Sequence, residues 1–223
     1  NKNTPLYNNP VYAITEMKNS TDPVIMEKAL SEIIENQEIF RTSFHFSKGD
    51  LYQKIHDNVP VKIDYEDICA LGDDEIEKYM EETAKKEVSM LFNLEEPPLW
   101  RMRILKISPT KELFLFTPHH IISDGWSNSL FIKDLISSYN NHISLGYNVS
   151  EYSKYKYIDY VDWEQNWFDS KEYEKSINYW KTQFDPIPEN IKLPMDNNRP
   201  PIITGNGKMV KGLIENDAKN IIQ

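Results

Sequence analysis

Two adjacent histidines, followed closely by an aspartate and a glycine, are the most chemically informative feature of this 223-residue sequence. His119 and His120 come just behind the apolar segment 113–116, and Asp124 and Gly125 follow them. An imidazole titrates near neutral pH and can therefore take or give a proton during catalysis. The stretch predicts a site for proton transfer at the end of a buried strand.

Strand geometry assigns different roles to the two histidines. Successive side chains of an extended segment point to opposite faces, so only one of His119 and His120 can face a given cavity. The other packs or forms hydrogen bonds inside the protein, and the alternation does not decide which is which. A structural histidine pair followed by an Asp-Gly turn is the simpler alternative to a catalytic site.

A helix is predicted to start just after this cluster. Gly125 permits a sharp turn of the backbone, and Ser123 or Asp124 can cap the first helical turn. The helix is indicated by the spacing of Trp126, Leu130, Leu135 and Tyr139. The cluster therefore lies in a connection between a strand and a helix.

The composition excludes several classes of protein. The chain has 35 acidic and 25 basic residues, and its net charge of -10 argues against a nucleic-acid-binding surface. Cys69 is the single cysteine, so no internal disulfide framework exists. No apolar run approaches the roughly 18 residues of a membrane span, and no segment has the pattern of a signal peptide. We expect a soluble, cytoplasmic protein with one domain or one lobe of a larger domain.

Strands and helices alternate in the part of the chain that precedes the histidines. Alternating and helical spacings of apolar residues predict a strand at 11–17, a helix opening at Asp22 and Pro23, strands at 42–46 and 51–55, a helix at 75–91, and a hairpin of strands at 99–107 and 112–117. The second strand of the last hairpin leads directly into His119. A hairpin and the helix after it therefore position the candidate site.

Two arginines in the first strand of that hairpin share one face. Arg101 and Arg103 alternate with apolar residues, and an arginine that points into a core needs a carboxylate partner. The alternative is that both arginines lie on a solvated face. The alternation alone does not choose between the two arrangements.

The last third of the chain is rich in aromatic residues and then in proline. Aromatic side chains at helical spacing predict a helix starting at 157–163 and another marked by Tyr173, Ile177, Trp180 and Phe184. We interpret these aromatic residues as core rather than cofactor-binding. After a proline-rich stretch from 185, a strand at 208–214 and the first residues of a helix at 216 give the impression of a truncated domain.

The stretch 119–127 resembles the HHxxxDGWS signature of the condensation domains of non-ribosomal peptide synthetases. Chloramphenicol acetyltransferases and other CoA-dependent acyltransferases carry related HHxxxDG or HxxxD motifs. Further stretches are similar to condensation-domain motifs in the expected order, namely 38–44 (ExLRTxF), 98–105, 157–163 (YxDYAxW), 179–184 (YWxxQL) and 193–200 (LPxDxxRP). Asn36 and Gln37 depart from the family pattern, which commonly has Arg and His there, and Arg41 is the matching arginine.

The resemblance implies an α/β fold, an α+β two-layer sandwich with a mixed sheet and flanking helices, as in one lobe of chloramphenicol acetyltransferase. Residues 1–214 are expected to form the N-terminal lobe of a condensation domain. Residues 215–223 are expected to begin the connection to a missing C-terminal lobe. The isolated fragment is therefore expected to be inactive.

The function implied by the resemblance is amide-bond formation in secondary metabolism, such as antibiotic biosynthesis. A carrier-bound aminoacyl amine attacks a carrier-bound acyl or peptidyl thioester. The implied partners are donor and acceptor peptidyl carrier proteins, the missing lobe and an adjacent adenylation domain, without nucleic acid or membrane. The carriers present phosphopantetheine, and neither a directly bound cofactor nor a metal is expected.

The resemblance also implies roles for individual residues. His120 faces the channel as a catalytic residue and His119 is structural, while Asp124 forms a buried ion pair with an arginine and the Gly125 N–H is a candidate oxyanion donor. The candidate supporting residues are Arg41, Arg101, Arg103 and Trp126. Any of the three arginines, or one in the missing lobe, can be the partner of the aspartate.

Two other functions stay open at this point. A stand-alone acetyltransferase of the chloramphenicol type has a similar total length, but its histidine motif lies near the C-terminus, whereas nearly half of this chain follows the motif. A recruitment module on the same fold with a decayed site is the non-enzymatic alternative. The intact residues His119, His120, Asp124 and Gly125 argue against it.

Two related domain types fit the sequence less well. Epimerisation domains usually lack the tryptophan after the glycine, and heterocyclisation domains replace both histidines with aspartates.

Overall fold

The computed structural model describes residues 8, 10–16, 20–147, 152–189, 191, 194, 195 and 197. They fall in two compact units, Asn1–Asn178 and Tyr179–Gln223. The strand expected at 208–214 and the lobe boundary expected at 214/215 lie outside the described residues. So does most of the motif at 193–200.

The described elements alternate between strands and helices along the chain. In chain order they are β1 (Val11–Glu16), α1 (Pro23–Asn36), a short 3-10 helix (Glu38–Arg41), β2 (Thr42–Ser47), β3 (Asp50–Ile55), β4 (Ile63–Asp67), α2 (Asp73–Ser89), β5 (Trp100–Ser108), β6 (Lys111–Pro118), α3 (Gly125–Leu145), α4 (Tyr157–Phe168) and α5 (Lys171–Gln183). The predicted strands and helices that fall on described residues are confirmed, with ends shifted by one or two residues.

A four-stranded mixed sheet forms the centre of the first unit. Its strand order is β1-β6-β5-β4, in which β4 runs parallel to β5 and the other neighbours are antiparallel. β2 and β3 form a separate antiparallel hairpin. This arrangement confirms the predicted α/β class with a mixed sheet and flanking helices.

Each face of the sheet is covered by helices. Side chains of β5 such as Met102 and Ile104 pack with buried residues of α1 and α3. On the opposite face, Leu105 of β5 and Leu113 and Leu115 of β6 pack against α2. Fully burying such a side chain stabilises the fold by about 1.5 to 3 kcal/mol. The alternation of side chains along β5 and β6 therefore decides which helix each residue meets.

The start and the buried face of α1 follow from its sequence. Pro23 is the first residue of the helix, and the Asp22 side chain caps it by accepting hydrogen bonds from the N–H groups of Val24 and Ile25. The buried residues recur at helical spacing and are Met26, Ala29, Leu30, Ile33 and Ile34. This stripe packs on the sheet as the spacing predicts.

β4 is a strand that the sequence analysis missed. It is five residues long and three of these are acidic, so its alternation of Ile63 and Tyr65 with charged residues is a weak signal. Its carboxylates pair with β5, since Asp64 lies 3.4 Å from Arg103 and Asp67 lies 3.0 Å from Lys106. Acidic side chains suit an edge strand because they discourage pairing with other chains.

The expectation that the aromatic residues of α4 and α5 are core is wrong for the described residues. Neither helix has a buried residue, and Trp163 and Trp180 are both more than half exposed. The rings stack on one another instead, with Trp163 6.2 Å from Trp167 between ring centroids. Helical spacing identifies a shared face but not whether another element covers it.

The buried face of α3 shares only Leu135 with the residues whose spacing predicted the helix. It consists of Asn128, Phe131, Leu135 and Ser138, whereas Trp126 is 78% exposed. The supporting role expected for Trp126 is therefore not seen, because the residue lies on the outward side of the first helical turn. No helix in the described part of the chain is long and apolar enough to cross a membrane.

Candidate active-site groove

The first histidine of the motif still belongs to the sheet. The His119 N–H donates to the carbonyl of Leu99 at 2.8 Å, and the residue forms an isolated bridge with Asn8. Its Nδ1 accepts a hydrogen bond from the N–H of Ile121 at 3.0 Å, so the ring proton of neutral His119 lies on Nε2. Burial lowers the pKa of His119, and the neighbouring His120 lowers it further. This imidazole is a neutral packing group at physiological pH.

The second histidine leaves the sheet in a turn and is exposed. His120 lies on the wall of a groove with a volume of about 720 Å³. Its side chain forms no hydrogen bond with another described residue, so both ring nitrogens are available to a ligand. Strand alternation did not decide which histidine faces a cavity. In the structure His120 lines the groove and His119 packs behind it.

Asp124 caps the start of α3. Its Oδ1 accepts hydrogen bonds from the N–H and the hydroxyl of Ser127, both at 2.7 Å. These hydrogen bonds hold the pKa of Asp124 below its usual value, and His120 contributes in the same direction. A helix start has unpaired N–H groups, and a side chain placed just before it is well oriented to accept from them.

Gly125 is the first residue of α3, and its backbone does not adopt a positive φ. A Cβ added to it would meet no atom within 4 Å. The sharp turn that this glycine was expected to permit is not made at Gly125, because the residue already belongs to the helix. Its N–H is at the helix N-terminus, where the backbone carries partial positive charge.

Three aromatic rings beneath the groove hold its walls together. Phe131 of α3 stacks on Phe116 of β6, with 4.0 Å between the ring centroids. It also contacts Phe40 of the 3-10 helix, with 5.2 Å between the centroids. The Trp100 indole N–H donates to the carbonyl of Phe40 at 3.1 Å, which ties the 3-10 helix to β5. The groove is thus built on a rigid, buried part of the molecule.

Comparisons with known proteins decide the family. The family model for the condensation domain matches residues 1–222. The chain belongs to the condensation domain family. Its structure also resembles the crystal structure of the starter condensation domain of rhizomide synthetase, with a TM-score of 0.72 and 20% identity over 84% of this chain and 46% of that chain. At this identity the likeness shows the fold alone.

Curated relatives of this condensation-domain chain are much longer proteins. Bacitracin synthase 1 of Bacillus licheniformis is 33% identical over 83% of this chain, which covers 3% of that protein. Gramicidin S synthase 2 of Aneurinibacillus migulanus is 30% identical over 87% of this chain, which covers 4% of that protein. The chain therefore spans only a small fraction of the length of these relatives.

In this condensation-domain chain, two of the three candidate arginines bind a glutamate. The Nε of Arg101 lies 3.0 Å from Glu87 Oε2, and the Nε of Arg103 lies 3.3 Å from Glu87 Oε1. Glu87 is buried near the end of α2. Sequence reasoning missed it because it lies in a helix with many acidic residues, although its position opposite two inward-facing arginines is the contact that they require.

The third arginine binds backbone carbonyls. Arg41 donates to the carbonyl of Ile34 at 2.9 Å and to those of Glu35 and His56, so it closes the C-terminal end of α1. None of the three arginines pairs with Asp124 in the described part of the chain, and a partner in the missing lobe stays a prediction. The helix start at Gly125 directs the aspartate to Ser127 instead.

Arg101 nevertheless supports the histidine motif indirectly. Its guanidinium carbon lies 3.9 Å from the centroid of the Phe92 ring. The Phe92 ring in turn meets the His119 ring edge-on, with 6.1 Å between the centroids. The chain of contacts from Glu87 through Arg101 and Phe92 fixes the packed imidazole. That imidazole in turn accepts from the turn that contains His120.

Two polar residues that line the groove were not among the site residues predicted from the sequence. Ser123 is buried and its hydroxyl has no hydrogen-bond partner among the described residues. Asp134 lines the groove seven residues after Ser127, a helical spacing that places both residues on one side of α3. No group of three or more His, Cys, Asp or Glu side chains in the described part of the chain could hold a metal ion.

Proposed function

We propose that this chain forms amide bonds as part of a condensation domain in a non-ribosomal peptide synthetase. The amine of a carrier-bound aminoacyl group attacks the thioester carbonyl of a carrier-bound acyl or peptidyl group. The carbon–sulfur bond breaks, and the products are an amide and the thiol of the donor carrier arm. The observation that carries this proposal is the exposure of His120 on the groove, unpaired, while His119 is packed.

His120 receives the proton that the amine must lose. An α-amine has a pKa of about 7.7 to 8.0, so on the order of a tenth is neutral at pH 7 and a strong base is unnecessary. The imidazole orients the amine, takes its proton as the tetrahedral intermediate forms, and can return it to the departing thiolate. A positioned acid–base group of this kind contributes roughly 10² to 10⁴ in rate.

Asp124 and Gly125 assist from the start of α3. The Asp124 carboxylate caps α3 through Ser127 and so fixes the helix start that follows the His120 turn. The Gly125 N–H, at a helix N-terminus without a side chain in the way, donates to the oxyanion of the intermediate. Holding both reacting groups in one groove contributes much of the remaining acceleration.

The proposal includes partners that the chain itself does not contain. Donor and acceptor peptidyl carrier proteins present their substrates on phosphopantetheine, an adenylation domain loads the acceptor, and a C-terminal lobe follows from residue 215. The relatives named above are synthases of bacitracin and gramicidin S, which supports a place in secondary metabolism. Because one wall of the channel would come from the second lobe, the 223 residues alone should bind loaded carriers weakly and turn over none.

The test is substitution of the two histidines in a synthetase module that carries this chain. His120→Ala should lower condensation by roughly 10² to 10⁴ with a nearly unchanged melting temperature. His119→Ala should instead lower the melting temperature, because it removes a packed ring. Full turnover by His120→Ala contradicts the proposal. Acetylation of chloramphenicol by the 223-residue chain with acetyl-CoA would favour the acetyltransferase alternative.

A further inference from the structure

The α3 wall of the groove changes in character along its length. Ser127, Leu130, Phe131 and Asp134 all line the groove, and their spacing places them on one side of the helix. Asp134 lies ten residues beyond Asp124, about 15 Å along the axis at the usual helical rise. From the His120 end, the wall is therefore first polar, then apolar and finally acidic.

The acidic end consists of a carboxylate without a partner. Asp134 is about half-buried and forms no hydrogen bond or ion pair with another described residue. Burial raises the pKa of its carboxyl, and the adjacent Lys133 acts weakly in the opposite direction. A carboxylate in this position is stabilised by a cation from outside the chain.

The remaining charges of the groove also favour a cation. Glu38 and Asp124 line it together with Asp134, and the single lysine among the described lining residues is Lys156. The Lys156 Nζ donates to the carbonyl of Asn36 at 3.1 Å, so it is held at the α1 end of the groove. A cleft lined by an excess of one charge concentrates ligands of the opposite charge.

A second observation, at the His120 end, also indicates a ligand. Ser123 is only 8% exposed, lines the groove, and has a hydroxyl without a hydrogen-bond partner in the described part of the chain. A buried hydroxyl without a partner costs free energy, which a ligand carbonyl or amide can recover. The groove therefore offers polar contacts at both ends and the apolar side chains of Leu130 and Phe131 between them.

We infer that the groove selects a carrier-bound aminoacyl group whose aliphatic side chain ends in an ammonium, and that Asp134 is the residue that determines this specificity. The inference rests on the proposed function, since that function places the reacting end of the ligand beside His120. A flexible methylene stem matches the apolar middle of the wall, and its terminal ammonium is the charge complement of the Asp134 carboxylate. An uncharged side chain of equal length leaves Asp134 without a partner.

The test compares two probes that differ in one ammonium group. They are the pantetheine amides of lysine and of norleucine, which are stable against hydrolysis, and each is titrated by calorimetry into a synthetase module that carries this chain. We expect the lysine probe to bind about five- to tenfold more tightly, as for a charge-assisted hydrogen bond at a half-buried site. Asp134→Asn should reduce this preference to within about twofold.

Asp162→Asn is the matched control, because Asp162 is an exposed acid of α4 outside the groove lining. It should retain the full preference for the lysine probe. Equal binding of the two probes to the unmodified module, no measurable binding of either, or equal weakening of both by Asp134→Asn overturns the inference. The proposed function fails separately: condensation that survives His120→Ala would contradict it even with the lysine preference intact.

Discussion

Two regions beside the central sheet, the Glu87 network and the His120 groove, differ in whether their charged side chains have partners. On the α2 face, Glu87 has 5% of its side chain exposed and contacts both Arg101 and Arg103. On the α3 side, His120 and Asp134 line a groove and have no hydrogen-bond or ion-pair partner among the described residues. Charged groups that satisfy one another stabilise the fold, whereas unpaired groups on a cavity wall are available to a ligand.

The largest expected effect comes from removing the Glu87 carboxylate, which pairs with both arginines. Glu87→Ala leaves two arginines, each about four-fifths buried, without their shared partner, and should lower the free energy of unfolding by about 3 to 5 kcal/mol. Chemical denaturation of the chain measures this change. Glu81→Ala in the same helix removes the exposed pair with Lys85 and should cost less than about 0.5 kcal/mol. Similar losses in the two variants would show that the network is not structural.

The next largest expected effect tests whether Asp124 acts as a helix cap or as a member of an ion pair. Asp124→Ala removes two hydrogen bonds at the start of α3 and should lower the melting temperature by a few degrees. Asp124→Asn preserves an acceptor for the N–H of Ser127 and should be closer to the unmodified chain. A large loss of stability in both variants would instead indicate a charged partner outside the described residues.

The contrast between the two regions also explains what the sequence could predict. The hairpin of β2 and β3, the strands around the histidines and the start of α1 at Asp22 depend on residues close in the chain, and alternation, turn composition and capping residues identify them. The partner of Arg101 lies 14 residues away on another element. Which residue pairs with Arg101 depends on how α2 packs on the sheet, and no local sequence pattern predicts that packing.

The exposure of the aromatic residues of α4 and α5 and the groove wall were not predicted, for related reasons. Helical spacing in α4 correctly predicted a helix, but whether Trp163 is covered depends on another element. Asp134 was missed because a single aspartate in an amphipathic helix is indistinguishable from a solvated one until the groove is seen. In both cases the sequence predicts the element and its face, while the neighbour across that face is tertiary information.

A smaller effect tests the packed state of His119. Its folded pKa lies below the ordinary value of about 6.5, so the unfolded chain binds the proton more readily. The free energy of unfolding should therefore be highest above pH 6.5 and fall as the pH is lowered toward the folded pKa. Melting temperatures at pH 7.5 and 5.5 should differ less in His119→Gln than in the unmodified chain. An equal pH dependence in both would contradict the packed assignment.

The smallest expected change in stability is at Asp134, and its sign is informative. Burial raises the pKa of this carboxyl, so the ionised form is disfavoured in the folded state and weakens the fold at every pH above the folded pKa. Asp134→Asn removes that charge and should leave the melting temperature at pH 7 unchanged or slightly higher, whereas Glu87→Ala lowers it substantially. A marked decrease in the melting temperature of Asp134→Asn would show that Asp134 has a structural partner, and would place it with Glu87 among the paired residues of the fold. An unchanged or raised melting temperature, combined with a lost preference for the ammonium probe, is the behaviour of a residue maintained for its ligand at some cost to stability.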